Sequence, residues 1–240
     1  LQDFYNLVDV YLDAVFYPRL TPEILQQEGW HYELEKLGDD LTYKGVVFNE
    51  MKGAYASPDS LMGRYSEQSL FPDTIYRFDS GGDPEVIPAL TWQQFKAFHE
   101  TYYHPSNARV FFYGDDDPEE RLRMVNAYFR DYDRLDVDSS IELQPPFEGA
   151  RHIEYPYPTG DEQTPKAMVT VNWLLTENVD ETETLALAIL SHVLIGTPAS
   201  PLRKALIDSG LGEDVIGGGL DDSLRQLIFS VGLKGVETEK

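Results

Sequence analysis

The sequence contains no cysteine. This absence excludes disulfide bonds, cysteine-ligated zinc sites, iron–sulfur clusters and thiol catalysis. Lysine and arginine are also scarce, because 19 of them stand against 42 aspartates and glutamates, giving a formal net charge of −23. Nucleic-acid binding needs clustered cations to neutralise phosphates, so we expect no nucleic-acid partner. No apolar run approaches the roughly 18 residues needed to cross a bilayer, so we also predict no membrane integration.

The residues that are present have an ordinary globular composition. Hydrophobic residues make up 42% of the chain and charged residues 25%. A chain of 240 residues is long enough to bury a sizeable core without covalent staples. We interpret the acidic surplus as a solubilising surface, and the alternative is a surface that attracts basic peptides.

Apolar spacing and capping signals predict both helices and strands. Thr91 and Gln94 form a capping-box pattern, and Asp180 precedes Glu183 in the same way. Strands and helices do not alternate strictly, so the sequence predicts an α+β fold rather than a doubly wound sheet. The predicted helices cover Leu1–Val15, Tyr43–Tyr55, Ser57–Leu70, Glu119–Asp131 and Pro198–Ser209, with two more beginning at Thr91 and Asp180. The predicted strands cover Trp30–Leu37, Ala108–Tyr113, Ala167–Leu175, Val215–Gly219 and Leu227–Gly232.

The ends of the sequence suggest a piece of a longer protein. Helical spacing is already under way at Leu1, no initiator methionine is present, and a strand-like segment runs almost to Lys240. Residues 134–165 are polar, contain proline and lack periodicity, which is typical of a linker. We therefore predict part of a first domain over residues 1–133 and the beginning of a second over residues 166–240.

The obvious candidates for chemistry have simpler explanations. His99 and His104 lie five residues apart, about 140° around a helix, so we interpret them as structural or surface residues rather than a metal pair. Neither H-E-x-x-H nor H-x-x-E-H occurs. The acidic run Asp115–Asp117 is expected to stabilise the N-terminus of the following helix rather than to bind calcium. Gly217–Gly219 lacks the lysine and hydroxyl residue of a phosphate loop.

Glu50 is a lone carboxylate in a largely apolar helix, and its spacing alone favours a solvent-facing or salt-bridged residue. Its surroundings, Lys44–Gly53 (KGVVFNEMKG) followed by Ser57-Pro58-Asp59, resemble the segment that carries the third zinc ligand in presequence proteases and falcilysins. These are pitrilysin-type metallopeptidases with an inverted H-x-x-E-H motif. Further stretches that resemble this subfamily are Asp3–Pro18, Gln26–Leu34, Asp79–Pro84, Tyr102–Arg109, Tyr113–Pro118, Val171–Leu175, Gly196–Lys204 and Ser209–Glu213.

The resemblance implies a pitrilysin-type fold and a role for Glu50. This residue matches the distal glutamate that holds Zn²⁺ together with two histidines. The resemblance places those histidines and the glutamate general base upstream of residue 1, so no catalytic residue is assigned within this chain. Glu28 is a further candidate, as a carboxylate that holds a ligand histidine in place. Substrate-binding residues are left unassigned.

The function that the resemblance implies is zinc-dependent hydrolysis of short unfolded peptides, such as targeting presequences, in an enclosed chamber. The expected partners are these peptides and the remaining domains of the same polypeptide, and the chain alone is expected to be inactive. The alternatives are a noncatalytic peptide-binding or scaffold protein of the same fold, and an unrelated acidic α+β protein. The resemblance suggests the mitochondrial matrix, the chloroplast stroma or the bacterial cytoplasm.

Overall fold

A computed structural model describes residues 1–158 and 166–237 of the chain. Helices and strands mix in them without strict alternation, which confirms the predicted α+β class. The helices are α1 (Gln2–Phe16), α2 (Pro22–Ile24), α3 (Val46–Ala54), α4 (Pro58–Leu70), α5 (Trp92–Tyr102), α6 (Pro118–Phe129), α7 (Glu181–Ile195) and α8 (Pro201–Asp208). The strands are β1 (His31–Glu33), β2 (Thr42–Lys44), β3 (Lys166–Glu177), β4 (Asp214–Asp221) and β5 (Gln226–Glu237). None of these helices has the length and apolar character needed to cross a membrane.

The chain forms two compact units. The first unit consists of Leu1–Lys52 and Gly81–Ser140, and the second of Gly53–Ser80 and Ile141–Lys240. The predicted domains, 1–133 and 166–240, refer to a longer protein and stay a prediction. Of the predicted linker, residues 134–158 form no helix or strand, and residues 159–165 lie outside the described ranges.

In the first unit, aromatic residues hold α6 against α1. The rings of Phe16 and Phe129 meet edge to face with their centroids 4.9 Å apart. The Tyr17 hydroxyl donates a hydrogen bond to the backbone carbonyl of Tyr128 at 2.9 Å, and the Tyr128 hydroxyl donates to the Asp9 carboxylate at 2.7 Å. These bonds satisfy the polar ends of side chains whose rings pack between the helices.

Helix α5 begins as the sequence predicts. The Thr91 hydroxyl accepts a hydrogen bond from the backbone N–H of Gln94, and the Gln94 side chain accepts one from the backbone N–H of Thr91. Both bonds satisfy donors that a helix leaves without partners at its N-terminus. The helix ends at Tyr102, before Pro105, which cannot continue it.

Two predicted elements of the first unit are shorter than expected. Of the strand predicted over Trp30–Leu37, only His31–Glu33 pairs, antiparallel with Thr42–Lys44. The helix predicted to begin at Tyr43 begins at Val46 instead. Strand pairing takes the first residues of the predicted helix, and Gly45, with φ of +145°, separates strand from helix.

The strand predicted over Ala108–Tyr113 is wrong for the structure as described. None of the described strands pairs with this segment. Phe111 and Tyr113 are 86% and 90% exposed. Local residue preference predicts a strand here, but a strand forms only where a neighbouring chain segment supplies hydrogen-bond partners.

The second unit is built on an antiparallel sheet in the order β3-β5-β4. Trp173 pairs with Phe229 across β3 and β5, and Leu220 pairs with Phe229 across β4 and β5. All three of its predicted strands are confirmed, since Ala167–Leu175, Val215–Gly219 and Leu227–Gly232 lie within β3, β4 and β5.

The core of the second unit lies where α4 ends. Leu70, Phe71 and Ile228 form a buried cluster, against which Leu174 and Phe147 pack. Helix α4 begins where Ser57 accepts a hydrogen bond from the backbone N–H of Ser60, as the sequence predicts. Phe71 is completely buried, so the end of α4 is fixed by apolar contacts.

Candidate functional site

Helix α3 carries the candidate metal ligand, and the residues before it fix where it begins. Gly45 follows β2, and a Cβ atom added there would collide with the backbone carbonyl of Gly29. Phe48 is buried and meets the ring of Tyr43 on β2 at 5.8 Å. Strand β2 therefore anchors one face of α3.

Glu50 lies on the other side of α3. It is two residues after Phe48, about 200° around the helix, and four residues after Val46, on nearly the same side. Glu50 is exposed, and Val46 and Val47 are 55% and 37% exposed. In residues 1–158 and 166–237 no group of three or more histidine, cysteine, aspartate or glutamate residues is placed to hold a metal. The assignment of Glu50 as a ligand stays a prediction.

Glu28 lies near the end of a π-helical turn over Leu25–Gly29. Its carboxylate accepts a hydrogen bond from the side-chain amide of Gln27 at 2.8 Å. The nearby His31 uses Nδ1 for the backbone carbonyl of Gln26, at 2.6 Å. The structure does not bring Glu28 and His31 together by a hydrogen bond, and the suggested role of Glu28 also stays a prediction.

His99 and His104 both bond to the backbone. Nε2 of His99 donates to the carbonyl of Val15 at 2.8 Å, and Nδ1 of His104 accepts from the backbone N–H of Ser106 at 3.1 Å. Both rings line a cavity of about 350 Å³ in the first unit together with Tyr132. Burial, with Tyr17 adding to the effect, raises the pKa of Tyr132 to about 12. His99 therefore joins α5 to α1, and His104 holds the turn that follows α5, in agreement with the structural or surface role predicted for them.

The acidic run before α6 also has a structural role. Asp117 accepts a hydrogen bond from the backbone N–H of Glu119 at the helix N-terminus, as expected. Asp116 is buried and forms an ion pair with Arg121. Hydrogen bonding from Arg121 lowers the pKa of Asp116. Asp116 and Asp117 therefore stabilise the N-terminus of α6.

A groove in the second unit was not predicted from the sequence. It has a volume of about 490 Å³ and lies between α4 and the sheet. Its walls include Asp59 and Glu67 from α4, Asp221 from β4, and Gly217–Gly219. Burial, with repulsion from Asp221 and Asp79 adding to it, raises the pKa of Glu67. The carboxylates of α4 and β4 are far apart in the sequence, so no local sequence pattern predicts that they lie together.

Two glycines of β4, Gly217 and Gly219, are required by their close neighbours. Gly217 and Gly219 have φ of +90° and +76°, in the region that side chains disfavour. A Cβ on Gly217 would lie 2.6 Å from the Cα of Val231. The glycines sit where the β4–β5 register shifts between Ile216 and Gly219, which is a typical place for them in a strand.

Comparison with known proteins identifies the family. The family described as Peptidase M16 inactive domain matches residues 89–239. Presequence protease 1, chloroplastic/mitochondrial, from Arabidopsis thaliana is 51% identical over 99% of this chain and 23% of its own length. Protein HypA from Clostridium perfringens is 43% identical over 100% of this chain and 25% of its own. The mitochondrial presequence protease of Mus musculus is 41% identical over 98% of this chain and 24% of its own.

Solved structures agree on the fold. Pitrilysin matches with a TM-score of 0.54 and 20% identity, over 97% of this chain and 23% of pitrilysin. The peptidase M16 inactive domain from Pseudomonas fluorescens matches with a TM-score of 0.57 and 20% identity, over 79% of this chain and 45% of that one.

The fold is thus that of pitrilysin-type peptidases. The chain belongs to the M16 peptidase family, and the resemblance to presequence proteases that the sequence motifs indicate is confirmed. It spans about a quarter of the length of the curated relatives described above.

Proposed function

We propose that the intact protein is a zinc metalloendopeptidase that degrades unfolded peptides, and that this chain supplies Glu50 as the distal zinc ligand. The observation that carries the proposal is the similarity of nearly the whole chain to presequence proteases. Glu50 lies in the sequence KGVVFNEMKG, which resembles the ligand segment of that subfamily.

The surroundings of Glu50 support its role. A carboxylate next to exposed Val46 and Val47 is typical of a helix face that another part of the protein covers. The opposite face is fixed by the contact of Phe48 with Tyr43. Helix α3 therefore presents Glu50 from a rigid position, as a metal ligand requires.

The residues of this chain fit zinc as one part of a site. Carboxylate oxygen is an ordinary zinc ligand, and catalytic sites use three protein ligands with a fourth position for water. We propose that the other ligands and the general base come from elsewhere in the polypeptide. Zinc bound there supplies an activated water and polarises the scissile carbonyl. The part of Glu50 is to complete the ligand set, so we expect this chain alone to be inactive.

The proposed substrates are short unfolded peptides, including presequences, enclosed between parts of the intact protein. Two of the relatives compared above are named presequence proteases. The net charge of −23 favours peptides that carry basic residues, because opposite charges raise the association rate.

The test is Glu50→Gln in the intact protein. Glutamine keeps the size of the side chain but binds zinc poorly, so we expect loss of bound zinc and about a hundredfold or greater loss of activity, by analogy with the cost of disturbing a metal site. Zinc content and peptide cleavage are measured together, with circular dichroism to show that the fold survives. Glu148→Gln changes an exposed carboxylate in the same way and serves as the control. Wild-type zinc content in Glu50→Gln would exclude Glu50 as a ligand.

A noncatalytic peptide-binding protein is the second candidate. The matched family is described as an inactive domain over residues 89–239, which favours a binding role for that region. Glu50 lies outside the matched range, so the description of an inactive domain does not cover the proposed zinc ligand. An intact protein that binds peptides without cleaving them when zinc is supplied would favour this candidate.

A further inference from the structure

Residues 141–157, which we name the strap, contain no helix or strand. Long segments without regular structure are usually functional loops or linkers. The strap is nevertheless fastened to the second unit at several points. At its start, the backbone carbonyl of Ile141 accepts a hydrogen bond from the Arg225 guanidinium, which also pairs with Glu177 on β3 at 2.8 Å.

The tightest attachment is at Gln144, which is 3% exposed. Its side-chain amide donates to the Asp73 carboxylate at 2.7 Å and accepts from the backbone N–H of Asp73 at 3.0 Å. Its backbone N–H donates to the side-chain oxygen of Gln226 at 2.6 Å, and its carbonyl accepts from the Gln226 amide at 3.3 Å. Gln144 thus joins the turn after α4 to the first residue of β5 through two reciprocal pairs.

The rest of the strap contacts α4 and the core beside it. Phe147 packs against the cluster of Leu70, Phe71 and Ile228. Tyr155 stacks on Tyr65 of α4, with ring centroids 4.1 Å apart and planes 9° apart. The strap therefore follows α4 from the turn at its end back toward its middle.

Direct packing between α4 and the sheet is incomplete. The groove of about 490 Å³ lies between them, so part of the surface of α4 that faces the sheet does not contact it. Across it, Ser66 meets Thr170 with their hydroxyl oxygens 3.3 Å apart. The repulsion around Glu67 opposes a closer approach.

We propose that the strap is a latch, with Gln144 at its centre, that keeps α4 docked on the β3-β5-β4 sheet and allows α4 to open when it is released. Buried amides that are fully paired fix one arrangement, whereas removing one partner leaves others unsatisfied. Replacing Gln144 by alanine therefore leaves the carboxylate and the backbone N–H of Asp73 without these hydrogen bonds, and this weakens the docking of α4. The proposal does not depend on peptidase activity.

The absence of cysteine allows a direct test in the full chain. Ser66→Cys introduces a single thiol at a half-buried position of the groove, facing Thr170. Its rate of labelling by a bulky thiol reagent, one too large to enter the groove while α4 is docked, reports the opening of α4. We expect Gln144→Ala in this background to label about tenfold faster or more, which corresponds to the loss of one buried hydrogen-bonded partner. Glu142→Ala, which changes an exposed residue of the same strap, is expected to label at the parent rate.

Hydrogen exchange in α1 separates local opening from general unfolding. If the proposal is correct, the backbone amides of α1 in the Gln144→Ala variant exchange at the parent rate while the thiol introduced at position 66 is labelled faster. Tyr155→Leu removes the second attachment and is expected to raise the labelling rate also, so it carries the test if Gln144→Ala does not fold. Unchanged labelling in a folded Gln144→Ala or Tyr155→Leu variant overturns the proposal, as does an equal rise in exchange in α1.

Discussion

At the scale of single residues, the ionised carboxylate of Glu67 destabilises the folded chain. The folded chain raises its pKa above the ordinary value of 4.5, through burial and through Asp221 and Asp79. The folded state therefore binds the proton of Glu67 more tightly than the unfolded state does. The destabilisation by ionised Glu67 is fully present above its raised pKa and disappears below the ordinary value of 4.5.

We predict that Glu67→Gln stabilises the chain at pH 7. The expected gain in the free energy of unfolding is about 0.5 kcal/mol, because Glu67 is only half-buried and solvent reduces both the burial penalty and the repulsion. The gain should vanish as the pH falls toward 4, which urea unfolding at several pH values measures. Glu148→Gln, at an exposed position, is the control. A gain that does not change with pH would show that charge is not its cause.

The helix-capping residues were the feature of the fold that the sequence predicted most readily. Ser57, Thr91 and Asp180 each accept bonds from the backbone N–H groups just after them, because a cap depends on only a few neighbouring residues. Glu67 was missed for the opposite reason. Its environment is made by Asp79 and Asp221, which only the folded chain brings near.

At the scale of elements, the sequence correctly predicted β3, β4 and β5, but it assigned most of β2 to a helix and predicted a strand over Ala108–Tyr113 that pairs with none of the described strands. The segments that form β3 and β4 each pair with β5. Ala108–Tyr113 has a similar β-branched and aromatic composition but no pairing strand among the described residues. Composition reports the preference of a segment, whereas pairing depends on a segment that is distant in sequence.

The junction between β2 and α3 gives a prediction at this scale. Gly45→Ala should destabilise the chain by at least about 2 kcal/mol, because alanine disfavours a positive φ and its Cβ would meet the carbonyl of Gly29. Gly53→Ala changes the same residue type within α3, where a Cβ meets nothing within 4 Å. It should be neutral or stabilise by about 0.5 kcal/mol. Urea unfolding of both variants measures the contrast, and equal effects would contradict the role assigned to Gly45.

At the scale of the whole molecule, fold class and family were predictable while the position of Glu50 relative to a metal was not. Motifs spread along the chain in order predicted the subfamily, and 51% identity to a presequence protease confirms it. A metal site needs several ligands held together, and in this sequence only Glu50 is assigned as a ligand, with no H-x-x-E-H motif. The role proposed for Glu50 therefore needs further ligands, and no metal-binding group is present among residues 1–158 and 166–237 to supply them.

The net charge of −23 gives the prediction that belongs to the whole molecule. If this charge draws in substrates, a peptide with several lysines or arginines should bind the intact protein more weakly as salt rises. The Debye length falls from about 10 Å at 0.1 M to about 3 Å at 1 M, so most long-range attraction is lost across that range. Binding constants for the basic peptide are compared with those for a peptide of equal length in which the basic residues are replaced by glutamine. The neutral peptide should show little dependence on salt, because it lacks the charges that the acidic surface attracts. Equal dependence for both peptides, or none for either, would show that the charge serves solubility instead.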